Sequence, residues 1–382
     1  MAGTLKEMFR YLSSSLFLMI ITLIGFGLVQ VYSSSYIYAI EYRDNGLFFF
    51  QRQFVFSFIA ILAMMAVIHT PSKWLEKYGW MMWLISAALV AMTFVPGLGV
   101  RAGGALRWLK LPFGIRFEPS EILKLSFVLL VATVISKENL ILKKLKPGWI
   151  FLMVFFPLGI LLKQPDFGSF FIIFAVGFGL LFLYGLSWKY FLGALGAAIP
   201  ILYFTVMTVP YRKARILSFL DPWADPQNSG FQSIQSMLSF NSGGFLGVGL
   251  GKGQGKLFFL PEAHTDFTIA VLGEEVGFIG FFLLLVLYGF LVFKGFQIAT
   301  RSEKLFNKVT AIGISLTFAI SIFVNMGVAL GLLPTKGLAL PFLSYGGSSL
   351  LVYSMMFGLL INLEQQLEVD RIEERLKRFR KN

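Results

Sequence analysis

SSSLFLMIITLIGFGLVQVYSSS, residues 13–35, runs for 23 positions without a single charged side chain. A helix needs about 20 mostly apolar residues to cross the hydrocarbon core of a bilayer. Nine further segments of similar character follow, so the sequence predicts an all-α membrane protein of about ten transmembrane helices. Their predicted bounds are 13–35, 54–70, 79–98, 120–136, 149–165, 168–186, 190–208, 267–294, 307–332 and 345–363.

The composition of the whole chain agrees with this fold class. Hydrophobic residues make up 57% of the 382 residues and charged residues only 14%, whereas about a quarter of a soluble globular chain is charged. The formal net charge of +13 would suggest nucleic acid binding in a soluble protein, but in a membrane protein it is typical of basic cytoplasmic loops. We therefore expect no nucleic acid partner, and a single membrane domain, residues 1–382, surrounded by membrane lipid.

The basic residues also predict the orientation of the helices. Lys and Arg are enriched in short cytoplasmic loops, and here they precede the first span and recur in every second loop. This pattern places both termini in the cytoplasm. The mixed charges of residues 364–382 at helical spacing favour a solvated cytoplasmic tail, with a helix that docks a partner as the alternative.

The same orientation makes residues 209–266, between spans seven and eight, a long outer loop. Phe231, Ile234 and Leu238 recur in it at helical spacing, which predicts a short amphipathic helix. The many glycines from Gly243 to Gly255 match no phosphate-loop or dinucleotide motif. They favour a tight, turn-rich segment that leads into span eight, and backbone contact with a ligand is the alternative.

Polar side chains gather at the predicted outer ends of several spans. Ionisable residues at membrane depth are costly, which makes them candidates for function. Four separate parts of the chain contribute, and their convergence on one membrane face predicts a site at the outer leaflet. The candidates are Arg107, Arg116, Glu121, Lys124, Gln164, Asp166, His264, Thr265, Asp266, Lys336, Ser344 and Tyr345.

Several of these candidates also have a simpler structural explanation. Glu121 and Lys124 are three residues apart on a helix and could form an ion pair, and the basic residues of the third loop could meet lipid phosphates. Asp266 could cap span eight, and a lone histidine such as His264 is often structural. Glu274 and Glu275 are adjacent on a helix, so they point about 100° apart and cannot both face one cavity.

The residue inventory limits the chemistry of such a site. The chain has no Cys and only two His, which excludes thiol catalysis and a His-rich metal site. Carboxylates can serve as general bases, and Lys and Arg bind phosphate oxygens. This combination suits transfer of a group from a phosphate-linked donor.

Several long motifs occur in a fixed order along the chain. They are GALRW at 104–108, RFEPSE at 116–121, QPDFG at 164–168, LPEAHTDF at 260–267, GEE at 273–275, LPTKG at 333–337 and PFLSYGGSS at 341–349. Through these motifs the chain resembles the SEDS family of bacterial cell-wall proteins over essentially its whole length. The stretch TKGL at 335–338 is more similar to the FtsW/SpoVE branch than to RodA.

The resemblance implies a peptidoglycan glycosyltransferase that polymerises lipid II at the outer face of the bacterial cytoplasmic membrane. It also implies a location at the division septum, with a class B penicillin-binding protein and other divisome membrane proteins as partners. Asp266 matches the catalytic residue of the family, and Arg116, Glu121 and Lys124 match residues required for activity. Glu118 stands where the family commonly has glutamine, which adds a negative charge beside the predicted phosphate site.

Within this interpretation Asp266, with an ordinary pKa near 3.9, would be ionised at neutral pH and would take the proton of the acceptor hydroxyl. Basic groups such as Arg116 and Lys124 would stabilise the departing polyprenyl pyrophosphate. A divalent cation, Mg²⁺ or Mn²⁺, could share that role, although no metal ligands are assigned. The alternatives are a lipid II flippase and a non-catalytic scaffold that recruits the penicillin-binding protein.

Overall fold

The computed structural model describes residues 14–102, 105–136, 156–185, 210–228, 230–260, 262–335 and 337–379, with scattered residues between 186 and 209. Most of these residues are helical. The described helices are α1 (Ser15–Arg43), α2 (Phe48–Ile68), α3 (Ser72–Met92), α4 (Pro119–Ser136), α5 (Phe167–Leu183), α6 (Pro210–Leu220), α7 (Phe231–Gly243), α8 (Thr268–Arg301), α9 (Leu305–Ala329) and α10 (Gly347–Phe379).

Six of these helices are long and apolar enough to cross a membrane, namely α1, α2, α4, α8, α9 and the first 27 residues of α10. Helix α5 is apolar but has only 17 residues, and α3 is not among the six. Most of the predicted span 190–208, and the first part of 149–165, lie outside the described residues. A multi-pass helical protein is thus confirmed, while the number of ten spans and the cytoplasmic termini stay predictions.

The helices pack around α4, which is the most deeply buried of the six. In its most apolar stretch 83% of the residues are buried inside the protein, against 22% for α8. Helix α10 packs along α2, α3 along α4, and α8 along α9. The apolar residues that α8 leaves exposed, among them Phe282 and Leu283, are those expected on a helix that faces lipid.

A small antiparallel sheet covers one end of the bundle, between α3 and α4. Its strands β1 (Gly99–Ala102), β2 (Ala105–Lys110) and β3 (Arg116–Phe117) lie in sequence order, with Val100 opposite Trp108 and Lys110 opposite Arg116. Ala105 and Leu109 are buried. The sequence analysis did not predict this sheet, and it extended the third span to residue 98, whereas α3 ends at Met92.

The glycine-rich segment packs against a break in α8. Gly277 interrupts the helix at φ 67°, and Gly247 faces it at φ 79°. A Cβ atom on Gly247 would lie 2.2 Å from the carbonyl oxygen of Glu275, so a side chain would push the two segments apart. The prediction of a turn-rich segment before span eight is confirmed, and so is the helix over Phe231, Ile234 and Leu238, which is α7.

Candidate functional site

A cavity of about 740 Å³ lies where the sheet meets the C-terminal end of α1 and the N-terminal ends of α2, α4, α8 and α10. Alternating helix directions bring these ends to the same side of the bundle. Six of the predicted site residues line the cavity, namely Arg107, Arg116, Glu121, Thr265, Asp266 and Tyr345. The structure therefore brings three of the four predicted regions together around one space.

Asp266 lies in the turn immediately before α8. The turn contains Glu262 in the left-handed region at φ 56°, a conformation uncommon for a residue with a side chain. Asn325 of α9 holds the turn from behind, because its Nδ2 donates hydrogen bonds to the carbonyl oxygens of Asp266 (3.1 Å) and Leu338 (2.6 Å). One buried amide thus fixes both the Asp266 turn and the loop that closes the cavity.

The Asp266 carboxyl is a weaker acid than the sequence analysis assumed. Its pKa is raised to about 7, mainly by burial and also by the negative charge of Glu262, against the opposing effects of Arg107 and Arg215. The expectation of an ordinary pKa near 3.9 is therefore corrected, because it omitted desolvation. A carboxyl that titrates near neutral pH can both accept and release a proton there, as a general base requires.

Arg107 lies beside Asp266 at the backbone of Gly337. Its Nη1 donates to the carbonyl oxygen of Gly337 at 3.4 Å. A Cβ atom on Gly337 would lie 3.2 Å from Arg107 Nη1 and 3.4 Å from Asp266 Oδ2, so the missing side chain allows both groups to approach this backbone. Thr265 also lines the cavity, where its Oγ1 donates to Glu262 at 2.8 Å.

Glu121 and Lys124 form the ion pair that their spacing predicted. Lys124 Nζ lies 2.7 Å from Glu121 Oε1, and both side chains are almost fully buried. Glu121 lines the cavity, while Lys124 lies behind it. Glu121 Oε2 is buried and accepts no hydrogen bond from the described residues.

Gln164 and Asp166 lie behind the cavity wall rather than in it. Gln164 Nε2 donates to the carbonyl oxygen of Val90 at 2.8 Å and also contacts the Thr93 hydroxyl. Asp166 caps α5, accepting a hydrogen bond from the amide of Ser169 at 3.2 Å. Both are buried, and neither is a lining residue of the cavity.

His264 is enclosed by aromatic rings next to the site. Its ring centroid lies 4.6 Å from that of Phe49 and 5.2 Å from that of Tyr38. Burial lowers its pKa, against an opposing effect of Glu262, so the imidazole is neutral at physiological pH. His264 is not a lining residue of the cavity, and its surroundings favour a positioning role.

Of the predicted residues in the loop before α10, one lines the cavity and one is structural. Tyr345 lines the cavity, and its amide donates to the carbonyl oxygen of His264 at 2.9 Å. Burial raises the pKa of its hydroxyl, although Arg52, Arg116 and Arg43 act in the opposite direction. Ser344 accepts a hydrogen bond from the amide of Leu340 inside the loop and does not line the cavity. Lys336 lies outside the described residues.

The carboxyl groups of Glu274 and Glu275 contact different partners on different sides of α8, as their spacing predicted. Glu274 accepts hydrogen bonds from the amides of Gln254 (2.8 Å) and Gly255 (2.9 Å) in the segment before α8. Glu275 forms an ion pair with Lys256 at 2.7 Å and accepts a hydrogen bond from Ser33 Oγ at 2.6 Å. Both residues therefore anchor the segment before α8, and neither lines the cavity.

The sequence analysis missed part of the positive charge in the cavity. Arg43, Arg52 and Arg215 line it together with the predicted Arg107 and Arg116. All three lie in segments that the analysis placed on the outer side, where basic residues are exceptions to the usual orientation rule. The signal that identified Arg107 and Arg116 would have found them too.

A protein-built metal site does not emerge from the described residues. Among them, no three His, Asp or Glu side chains converge in an arrangement suited to a metal ion. The carboxyl groups of the cavity are instead interspersed with arginines. No step of the reaction is assigned to a protein-bound metal, and the involvement of Mg²⁺ or Mn²⁺ stays a prediction.

Comparison with known proteins connects this cavity to a family. The model of the FtsW/RodA/SpoVE family, described as cell cycle protein, matches residues 14–369. The chain belongs to this family. A relative of this FtsW/RodA/SpoVE protein, the probable peptidoglycan glycosyltransferase FtsW of Geobacter metallireducens, is 41% identical over 366 residues, which cover 95% of this chain and 97% of the relative. The SEDS resemblance seen in the sequence is thus confirmed.

Two solved structures share the fold of this FtsW/RodA/SpoVE protein. One belongs to a peptidoglycan synthase complex that coordinates polymerization and crosslinking. It superposes with a TM-score of 0.74 at 29% identity and covers 92% of this chain and 97% of its own. The other is the rod shape determining protein RodA of Thermus thermophilus, with a TM-score of 0.66 at 25% identity and coverage of 92% and 95%.

Proposed function

We propose that this protein is a peptidoglycan glycosyltransferase that polymerises lipid II, with Asp266 as the general base. The observation that carries the proposal is the position of Asp266, whose carboxyl lines a cavity that also contains five arginines. A base beside a concentration of positive charge suits a reaction whose leaving group is a pyrophosphate. The names of the relatives, probable peptidoglycan glycosyltransferases, support the same reaction.

In the proposed reaction the Asp266 carboxylate accepts the proton of the acceptor sugar's 4-hydroxyl. The hydroxyl oxygen forms a bond to the anomeric carbon of the donor, and the bond from that carbon to the pyrophosphate oxygen breaks. The polyprenyl pyrophosphate leaves as an anion, and the proton stays on Asp266 until solvent removes it. Because the pKa of Asp266 is about 7, this proton is released readily at neutral pH.

The five arginines would have different electrostatic roles. Arg107 and Arg215 act on Asp266 and lower its pKa, while Arg43, Arg52 and Arg116 surround Tyr345. Guanidinium groups bind phosphate oxygens with two parallel hydrogen bonds. We therefore assign the pyrophosphate to the arginine-rich part of the cavity, and the buried Glu121–Lys124 pair supports its wall.

The proposal extends to the partner and the place of action. A related chain belongs to a complex in which polymerization and crosslinking are coordinated, which supports a class B penicillin-binding protein as the partner. We place the protein in the bacterial cytoplasmic membrane, at the division septum with other divisome proteins. The cavity would face the outer leaflet, where lipid II becomes available.

The decisive experiment is a polymerisation assay on the purified complex with a cognate class B penicillin-binding protein and labelled lipid II. We expect glycan polymer from the wild type and none from Asp266→Asn, which keeps the size of the side chain and removes the base. Asp221→Asn is the matched control, because Asp221 is exposed in the outer loop and Asn also serves as a helix cap.

Polymer from Asp266→Asn at the wild-type rate would refute the role of the base. If an intact wild-type complex makes no polymer, the glycosyltransferase proposal fails. Lipid II transport by the protein in liposomes would then identify a flippase. A normal division phenotype of the Asp266→Asn strain, without transport, would identify a scaffold.

A further inference from the structure

Glu118 is a carboxyl group that the proposed reaction does not use. It precedes α4 and lines the cavity, and its amide donates to Ser348 Oγ of α10 at 2.9 Å. A carboxylate just before a helix is normally stabilised by the helix dipole, yet here it faces a space that we assign to a pyrophosphate. Two anions in contact would repel each other, so the state of Glu118 matters to binding.

Hydrogen bonds connect Glu118 to a second carboxyl group behind the wall. Ser120 Oγ donates to Glu118 Oε1 at 3.4 Å, and Ser169 Oγ donates to Ser120 Oγ at 3.2 Å. The amide of Ser169 in turn donates to Asp166 Oδ1 at 3.2 Å. Ser120 and Ser169 are buried, so the two carboxyl groups share a polar chain from which bulk water is excluded.

An ionised Glu118 would give this corner of the site three negative charges against two positive ones. The charged groups that act on Glu118 are Glu121 and Lys124 on α4, Asp166 at the start of α5, and Arg107 on β2. From α10 it meets the uncharged Ser348. Lys124 is already bound to Glu121, and the buried oxygens Glu121 Oε2 and Asp166 Oδ2 accept no hydrogen bond from described residues.

We propose that Glu118 is a carboxylic acid rather than a carboxylate when substrate binds, and that its hydroxyl donates a hydrogen bond to a phosphate oxygen of the substrate. The proposal rests on the proposed function, because it takes the pyrophosphate-linked substrate as the ligand. In this state Glu118 removes one negative charge from the crowded corner and supplies a donor that a carboxylate lacks.

The electrostatics of the corner support this state. The pKa of Glu118 is raised to about 8, mainly by burial and also by the charges of Asp166 and Glu121, against the opposing effects of Arg107 and Lys124. These effects on the pKa of Glu118 therefore outweigh that of the helix dipole, which favours the carboxylate. The neutral acid of Glu118 therefore predominates below about pH 8, and its hydrogen-bond donor is lost as the pH rises through this value.

The test compares Glu118→Gln with the wild type in the full complex, as kcat/KM for labelled lipid II from about pH 6 to about pH 10. The amide is neutral and a donor at every pH. The ratio of variant to wild-type kcat/KM should therefore rise about tenfold between about pH 7 and about pH 9, as the wild-type acid fraction falls. Glu303→Gln, at an exposed position outside the cavity, should show a flat ratio.

Infrared spectroscopy provides a readout that does not depend on turnover. In the Asp266→Asn background, which removes the other cavity carboxyl that titrates near neutral pH, the protein at neutral pH should show a C=O stretching band of a protonated carboxyl. This band should disappear at high pH and should be absent when Glu118→Gln is added. A ratio of kcat/KM that stays constant with pH, an inactive but folded Glu118→Gln, or the lack of this band would overturn the proposal. An inactive wild type would instead refute the glycosyltransferase function, while the infrared band still tests Glu118.

Discussion

Replacing Arg107 by leucine should shift the pH dependence of the reaction to higher pH. The perturbation removes a positive charge that lowers the pKa of Asp266 and also that of Glu118. With less stabilisation of the Asp266 carboxylate, a higher pH is needed to keep the base deprotonated. The acid limb of kcat/KM, near pH 7 in the wild type, therefore moves up, and the alkaline limb assigned to Glu118 moves in the same direction.

The geometry at Gly337 sets the size of this shift. A Cβ atom there would lie 3.2 Å from Arg107 Nη1 and 3.4 Å from Asp266 Oδ2, so the two atoms are no more than about 6.6 Å apart. At that distance and an effective dielectric constant of about 20, Coulomb's law gives about 2.5 kcal/mol, or nearly two pH units. Because solvent in the cavity weakens the interaction, we expect about one to two pH units.

The assay is initial-rate polymerisation of labelled lipid II by the purified complex across the pH range. Arg107→Lys is the matched control, because it keeps the charge while losing the planar guanidinium. It should leave the acid limb close to the wild-type position even if its rate is reduced. An acid limb that does not move in Arg107→Leu, or that moves equally in both variants, would refute the electrostatic reasoning.

Three further outcomes are expected. Asn325→Ala should reduce kcat by about tenfold or more while lipid II still binds. The reason is that the carbonyl oxygens of Asp266 and Leu338 lose their hydrogen-bond donor, at a cost of about 1–3 kcal/mol each. Rate and binding assays measure this effect, and an unchanged kcat would contradict it. Lys256→Met should lower unfolding stability by about 3–5 kcal/mol, because it leaves Glu275 buried and unpaired. Denaturation in detergent should show much of that loss recovered in Lys256→Met/Glu275→Gln and no loss in Lys252→Met, which is exposed; a stable Lys256→Met would argue against the pair. Chelation should slow polymerisation, and Mg²⁺ and Mn²⁺ should restore it to similar extents, since a cation held mainly by pyrophosphate is not selected by protein ligands; strong discrimination between the two ions would contradict this.

The membrane-spanning helices could be predicted because their signal is local. Each needs only an apolar run of sufficient length, and the runs of α1, α8 and α9 contain that information in full. Helix periodicity was also sufficient to predict that Glu274 and Glu275 contact different neighbours. Consecutive residues of a helix point in different directions, so the two side chains lie on different sides of α8. These predictions required no knowledge of which segments meet in space.

The cavity could be predicted only in part because it depends on long-range packing. The sequence placed Arg107 and Asp266 on one membrane face, but not on either side of the Gly337 backbone. Gln164 and Asp166 were predicted on the same membrane face, but they lie behind the wall of the cavity. The sheet was missed because β2 has only six residues, too few for alternation to stand out beside apolar spans.

The ionisation states of Asp266 and Glu118 could not be predicted from the sequence for a related reason. A pKa depends on the water that neighbouring residues exclude and on the charges that they bring close. For Asp266 these are burial and Glu262, and for Glu118 they include Asp166 from another helix. An ordinary carboxyl value was the only available assumption, and folding changes it for both residues.

The contact between Gly247 and Gly277 implies that the glycine-rich segment, from Gly243 to Gly255, would tolerate a break in the chain. The amides of Phe278 and Ile279 bind the carbonyl oxygens of Gly244 and Phe245, and the amide of Gly249 binds that of Glu275. Beyond the exposed Gly251, the Glu274 carboxylate holds the amides of Gln254 and Gly255. Cleavage next to Gly251 would therefore leave both new ends fastened to α8, and the protein should work as two non-covalently associated fragments.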